Sequence, residues 1–274
     1  MKKYLAIAKT LFKAQIVYRF DVLMTALGTV WRVVFAWILW GAVFAAPAAA
    51  SGAAASLTIG GFTFQEMLGY YVVASFLASL DLSGGVSGEV STRVRDGSFS
   101  KYMVIPASPQ FHFLAQNLGA SAYYAAFSVA VACACAFFFR VQPVHANSPA
   151  QLLLALLILL PGLAFMVCYH FFVGILAFKF QDVGFFLHVQ GNLIEFATGA
   201  IVPLALLPEG AMAVIRFLPF PYVTYMPAML ICGRAGVAEG LFGLAVVAVW
   251  LAVILFVNRC TYRRLRIKFD GVGV

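Results

Sequence analysis

Six apolar stretches, each long enough to cross a bilayer as a helix, constrain this fold more than any other feature. A hydrocarbon core of about 30 Å requires about 20 consecutive apolar residues in helical form. With 64% hydrophobic and 10% charged residues, the chain lies outside the composition of soluble globular domains. We therefore predict an all-α polytopic membrane protein, with one transmembrane domain over residues 1–274 in contact with the lipid bilayer. The six predicted spans are 22–46, 65–83, 112–139, 150–178, 183–202 and 236–258.

The segment 1–20 predicts a helix that lies in the membrane interface. Lys2, Lys9 and Lys13 fall on one face of a helical wheel, and aliphatic residues such as Ile7 fall on the opposite face. Such a pattern places lysines against anionic head groups and apolar side chains at the acyl boundary. The alternative is a solvated leader that only sets the topology.

The distribution of Lys and Arg predicts which loops face the cytoplasm. Of these 18 residues, 14 lie in the N-terminal segment, the loops after the second and fourth spans, and the segment after the sixth. The positive-inside rule places all four regions in the cytoplasm. Both termini are therefore predicted to be cytoplasmic, in the plasma (inner) membrane of a bacterium. Topology accounts for the basic residues, so no nucleic-acid partner is predicted.

Residues 201–235 stay apolar but cannot form one continuous helix. Proline removes a backbone donor and clashes with the preceding helical turn. Irregular backbone at membrane depth has to be shielded by protein or water. We therefore predict a broken re-entrant hairpin on the outer side, before the last span. The prolines predicted to shape this outer gate are Pro203, Pro208, Pro219 and Pro221.

The segment 84–110 is the longest polar interruption of the apolar sequence. Residues 84–109 read GGVSGEVSTRVRDGSFSKYMVIPASP. The span before it is predicted to begin at Thr63 and Glu66, whose T-x-x-E spacing is typical of a capping box. Mixed charges beside Phe99 and Tyr102 indicate a surface that meets a partner. The alternative is a solvated loop without one.

These features together resemble the membrane subunits of type-2 ABC exporters. The local matches are VSGEVSTRVRDGSFSKYMVIPASP, over 86–109, and TGAIVPLALLPEGAMAVIRFLPFPY, over 198–222. In the second string, Gly199 and two of the prolines occupy the positions of a G-x-x-x-P-x-x-x-x-P hairpin. In the first, Asp96 stands where many relatives have Glu. The resemblance extends over essentially the whole chain.

The resemblance implies a transporter whose energy comes from a separate chain. Two permease subunits, alike or different, work with two cytoplasmic ATP-binding subunits. ATP and Mg²⁺ then belong to the partner, and this chain binds no cofactor and is not an enzyme. The loop 84–110 becomes a cytoplasmic coupling loop that docks in the ATPase, and Gly97 allows the sharp turn at its end. The predicted contact residues are Glu89, Arg93, Arg95, Asp96, Gly97, Phe99 and Tyr102.

Arg32 in the first span and Glu195 in the fifth lie at a similar predicted depth. At about 1.5 Å per residue, both are about 16–20 Å from the inner ends of their spans. Charges at that depth rarely face lipid and usually pair. His188 and Asn192 share a helical face with Glu195, so we predict that these four residues line the translocation path. Two alternatives stay open: a pair that only fixes packing, or an Arg32 that extends to the interface without meeting Glu195.

Other functions find less support in the sequence. Cys133 and Cys135 form a C-x-C pair within an apolar span, where small packing residues are more usual than metal ligands, so no metal site is predicted. No P-loop motif is present. An ion-coupled secondary transporter using Glu195 and Asp81 is the alternative function, although no inverted repeat is visible. The resemblance implies that the cargo moves out of the cell. A lipophilic or amphipathic cargo is predicted because the outer loops are short and no glycan-binding domain is visible, while export of a drug, lipid, peptide or glycan stays open.

Overall fold

The chain is all-helical over the residues that its computed structural model describes. The described residues are 2–17, 19–51, 58–105, 107–141, 145–180 and 184–266. Short 3-10 turns join several of the α-helices. The α-helices are α1 (Lys2–Ala14), α2 (Arg19–Ser51), α3 (Phe64–Ser79), α4 (Gly84–Arg95), α5 (Ser100–Val104), α6 (Pro109–Phe138), α7 (Pro149–Ile175), α8 (Gly184–Ala197), α9 (Glu209–Ile215), α10 (Tyr225–Ile231) and α11 (Val237–Leu265).

Among the described residues, five helical segments are long and apolar enough to cross a membrane, and they correspond to five of the six predicted spans. The sixth counterpart is α8, within the predicted span 183–202, and it has 14 residues. Its length of about 21 Å is less than the thickness of a hydrocarbon core. The prediction of an all-α polytopic membrane protein is confirmed, whereas the count of six spans stays a prediction. The five segments are Phe20–Ala45, Phe64–Arg95, Pro109–Phe138, Pro149–Phe178 and Val237–Leu265.

Helix α7 lies at the centre of the bundle, where it packs against α4, α6, α10 and α11. Small residues let backbones approach closely inside a membrane. A Cβ atom added at Gly162 would stand 2.9 Å from the Tyr222 carbonyl oxygen and 3.3 Å from Val223 Cα. The residues after α9 are therefore seated directly on the α7 backbone, next to the fully buried Ile158.

Helix α1 packs along α6. The Tyr4 and Phe111 rings lie 5.9 Å apart, and the Tyr4 hydroxyl accepts a hydrogen bond from the Ser108 N–H at 3.1 Å. A Cβ atom added at Gly119 would stand 2.8 Å from Ala8 Cα, so the two helices are in backbone contact there. The helix is shorter than the predicted segment 1–20, of which positions 1 and 18 lie outside the described residues. Its place in the membrane interface stays a prediction.

Residues 201–235 form short helices, as their prolines predicted. The longest, α9 and α10, have seven residues each, and the whole segment is described. Pro203, Pro208 and Pro219 each directly precede a short helix, and Pro221 lies within a 3-10 turn. A proline fits these positions because backbone N–H groups at the start of a helix make no intrahelical hydrogen bond. The N–H that proline lacks is therefore not needed there. The outer location of this hairpin stays a prediction.

Helix α3 forms hydrogen bonds with the hairpin near both of its ends, at Gly199 and at Arg234. The Tyr70 hydroxyl donates to the Gly199 carbonyl at 2.7 Å. At the beginning of α3, the predicted capping box of Thr63 and Glu66 is present, and the other Glu66 oxygen accepts from Arg234 Nη1 at 2.9 Å. The guanidinium of Arg234 also lies 4.2 Å from the centre of the Phe62 ring. The hairpin is therefore fixed to α3 at both ends.

Candidate coupling surface and membrane charge pair

Helix α4, the first part of the predicted coupling loop, lies against α7 through a row of valines. Val86, Val90 and Val94 recur every four residues and are all buried. A Cβ atom added at Gly174 would stand 2.6 Å from Val90 Cβ, so α4 touches α7 where the larger helix has no side chain. This packing orients the charged residues of α4 away from the bundle core.

Glu89 and Arg93 pair with each other on the outer edge of α4. Glu89 Oε1 accepts from Arg93 Nε at 3.0 Å and from Nη2 at 2.7 Å. The guanidinium carbon of Arg93 also lies 5.5 Å from the centre of the Tyr102 ring. Partly exposed pairs of this kind contribute about 0.3–0.5 kcal/mol to stability. Both predicted contact residues are thus already engaged within the chain.

The chain turns sharply after α4, at Asp96 and Gly97. Gly97 has a φ of 73°, a left-handed conformation that favours glycine. The Phe99 N–H then donates back to the Arg93 carbonyl at 2.7 Å. Asp96 Oδ1 accepts the Ser98 N–H at 2.9 Å, and hydrogen bonds from the side chain and backbone of Ser98 lower the pKa of Asp96. Asp96 therefore remains an anion at neutral pH, in the turn that the sequence predicted.

Phe99 and Tyr102 pack inside this chain, which differs from the direct partner contact predicted for them. Phe99 is 0% exposed, and its ring lies 5.5 Å from that of Phe178 and 6.3 Å from that of Tyr262. Tyr102 packs 5.3 Å from Phe113. The reason is that Phe178, in the 3-10 turn after α7, and Tyr262, near the end of α11, complete an aromatic cluster beneath the loop. These two side chains position the loop rather than face a partner.

Five of the exposed residues of the loop form what we call the coupling surface: Arg95, Asp96, Lys101, Val104 and Ile105. All five side chains are exposed, and Val104 is 84% exposed. The prediction did not include Lys101 and the two aliphatic residues among the contact residues. The sequence signal for Val104 and Ile105 was the short apolar run near the end of the segment. The same run could equally well have been the start of the next span.

The structure brings Arg32 and Glu195 together across α2 and α8. Arg32 Nη2 lies 3.0 Å from Glu195 Oε1, and the two side chains are 49% and 41% exposed. The alternative in which the two never meet is therefore not observed. Asn192, one turn before Glu195, is also exposed. The side chain of His188 lies outside the described residues, so the four-residue stripe is described only in part.

Asp81 holds the junction between α3 and α4. Its Oδ1 accepts the Ser83 N–H at 3.0 Å, which caps the short break between the two helices. This contact gives Asp81 a structural role and offers no support for the proton-coupled alternative. Over the described residues, no group of three or more His, Cys, Asp and Glu side chains has the arrangement of a metal site.

Comparisons with known proteins identify the family. No curated protein matches the sequence. A family model described as an ABC-2 family transporter protein matches residues 54–268. The matched region contains the coupling surface, Glu195 and the proline-broken hairpin, and it extends through α11. The chain is thus a multi-pass membrane permease, and it belongs to the ABC-2 family of transporter proteins.

Proposed function

We propose that this permease exports a lipophilic or amphipathic cargo, driven by a separate cytoplasmic ATP-binding subunit that docks on the coupling surface. The observation that carries the proposal is the composition of that surface. The surface combines charges of both signs with Val104, whose exposed apolar side chain suits a protein partner better than bulk water. ATP and Mg²⁺ would bind to the partner, and this chain would act as a transport subunit rather than an enzyme.

The packing beneath the surface suits the transmission of force. Phe99 links the loop to the ends of α7 and α11 through its contacts with Phe178 and Tyr262. A movement imposed on the coupling surface would therefore reach the central helix of the bundle directly. The side of the membrane follows from the positive-inside rule, and we propose that both termini and this surface face the cytoplasm of a bacterial cell.

Reversing Arg95 and Lys101 together is expected to reduce binding of the ATP-binding subunit about tenfold or more, because like charges would then meet where opposite charges met. Arg95 and Lys101 are chosen for this test in place of Arg93 because Arg93 already pairs with Glu89, so its reversal would also break that pair. The measurement is the amount of ATP-binding subunit that co-purifies with R95E/K101E, relative to the wild-type chain.

The matched control is Arg264→Glu, which reverses one exposed charge on the same predicted side, within α11. R264E should retain the partner, and both variants should elute as monodisperse protein. Normal amounts of partner on R95E/K101E would rule out this surface as the docking site. Equal loss from R264E would indicate a diffuse charge effect instead.

We further propose that the hairpin lies on the outer side of the membrane, at the exit of the path. Its exposed α9 offers Glu209 and Gly210 for a topology test. In a background without the five native cysteines, Glu209→Cys and Gly210→Cys should react with a membrane-impermeant thiol reagent added outside intact cells. Reaction only after the cytoplasm is opened would invert the topology and with it the export direction. Arg264→Cys, expected to react only from inside, is the control.

The charge pair supports a second permease subunit, alike or different, facing α2 and α8. A pair left about half exposed within a span is costly against lipid. A second subunit, with a polar path between the two, would cover this face. In this arrangement Arg32, Asn192 and Glu195 line the path, and the carboxylate of Glu195 favours the cationic or polar part of a cargo.

A further inference from the structure

A cavity of about 540 Å³ lies between the loop that enters α6 and the last turns of α11. Three of its lining residues are arginines: Arg259, Arg263 and Arg266. Among the described residues that line it, none is acidic. The cavity is therefore strongly basic. It shares Ile105 with the coupling surface, and the proposals above assign it no ligand.

The three arginines lie on one side of the C-terminal end of α11, because they follow each other by four and three residues and Arg266 directly follows the helix in the αR conformation. Like charges at this spacing repel, so the cluster favours binding of an anion. Guanidinium groups bind phosphate oxygens through paired hydrogen bonds. The first turn of α6, through Gln110 and Phe111, lines the same cavity and adds the positive end of a long helix.

Asn258 forms a buried part of the cavity wall. The residue is 0% exposed, and its Nδ2 donates to the Cys168 carbonyl at 2.8 Å. Its Oδ1 has no hydrogen-bond partner among the described residues. A buried acceptor without a donor is costly, so a hydroxyl group carried by a bound molecule would satisfy it.

The other side of the cavity is apolar. Phe256 lines it and is 69% exposed on the membrane-spanning part of α11. Phe111 lines both this cavity and a second groove of about 660 Å³ between α1 and α6. Leu114 and Leu118 continue that groove along α6. A basic site thus adjoins an apolar groove, separated by one aromatic side chain.

We infer that this cavity binds the head group of an anionic phospholipid from the adjacent leaflet. The phosphate contacts the arginines of α11, a head-group hydroxyl lies towards Asn258, and an acyl chain follows Phe111 and the groove beside α1. Positive-inside topology alone would require basic residues but not their convergence on one cavity with an apolar wall. The inference depends on the membrane placement and not on the cargo or the ATP-binding subunit.

The test is native mass spectrometry of the delipidated full-length chain titrated with phosphatidylglycerol. The wild-type chain should retain one lipid of this class in preference to phosphatidylcholine of the same chain length. R259Q/R263Q should bind it about 30-fold more weakly, since each arginine near an anionic surface contributes about a fivefold gain. R264Q, on the same helix but outside the cavity, should bind it like the wild type.

Three results would overturn the inference. Unchanged binding by R259Q/R263Q would show that the arginines hold no lipid. Equal weakening by R264Q would show diffuse attraction without a site. Competition by millimolar inorganic phosphate, or equal retention of phosphatidylcholine, would show that an anionic lipid is not the ligand. If the double variant does not elute as monodisperse protein, R266Q replaces it, with an expected loss of about fivefold.

Discussion

Replacing Phe99 by Ala is expected to destabilise the permease by about 3–5 kcal/mol and to release the ATP-binding subunit, although Phe99 is fully buried within its own chain. The substitution opens a cavity between α5 and the ends of α7 and α11. The rings of Phe178 and Tyr262 then lose their shared contact. Because the coupling surface depends on this cluster for its position, docking should weaken together with stability.

The measurements are the thermal unfolding midpoint of the purified chain and the amount of co-purified ATP-binding subunit. Phe137→Ala is the matched control, since it removes the same side chain from an 87% exposed position on α6. F137A should change neither quantity appreciably. If F99A unfolded at a lower temperature yet kept its partner in full amount, the aromatic cluster would stabilise the bundle without positioning the coupling surface.

Neutralising Glu195 to Gln is expected to lower efflux of a lipophilic cationic dye about tenfold while the amount of folded protein changes less than twofold. In the arrangement proposed above, the Glu195 carboxylate supplies the negative charge of the path, and a cation crossing the membrane centre would depend on such a charge. The protein should survive because the pair with Arg32 is half exposed rather than sealed in packing. The residue beside Arg32 that packs into the bundle is Val33, which is unchanged.

Efflux from cells and the yield of monodisperse protein are measured in parallel for E195Q, for R32Q/E195Q and for Glu209→Gln. E209Q removes a carboxylate from the exposed helix α9 and should match the wild type. The contrary outcome is a loss of folded protein in E195Q that R32Q/E195Q restores. The pair would then be a packing element between α2 and α8, with no direct role in transport.

Local patterns in the sequence were enough to predict most of the helical layout. Apolar runs of about 20 residues have one stable form in a bilayer, so α2, α6, α7 and α11 follow directly. The capping box at Thr63 follows from a spacing of three residues between Thr63 and Glu66. The helix breaks in the hairpin follow from the ring geometry of its prolines. These features need no knowledge of the tertiary structure.

Contacts between distant segments could not be predicted in the same way. The burial of Phe99 depends on Tyr262, which is more than 160 positions later in the sequence. The pair of Glu66 and Arg234 spans a similar separation. For Arg32 and Glu195 the sequence predicted a similar depth but left open whether the two side chains pair, since a long arginine side chain can also extend to the membrane surface. The length of α8 was not predicted, because apolar residues continue past Ala197 into the irregular hairpin.

The backbone contact between Ala8 and Gly119 gives the N-terminal helix a mechanical role. Together with the Ser108–Tyr4 hydrogen bond and the packing of Tyr4 on Phe111, this close approach would couple the movement of α1 to that of α6. With α1 in its predicted place in the membrane interface, any tilt of α6 during the transport cycle would drag α1 sideways through the lipid head groups. The viscosity and charge of the membrane surface would then resist each turnover, so the speed of this transporter would depend on the lipids around it.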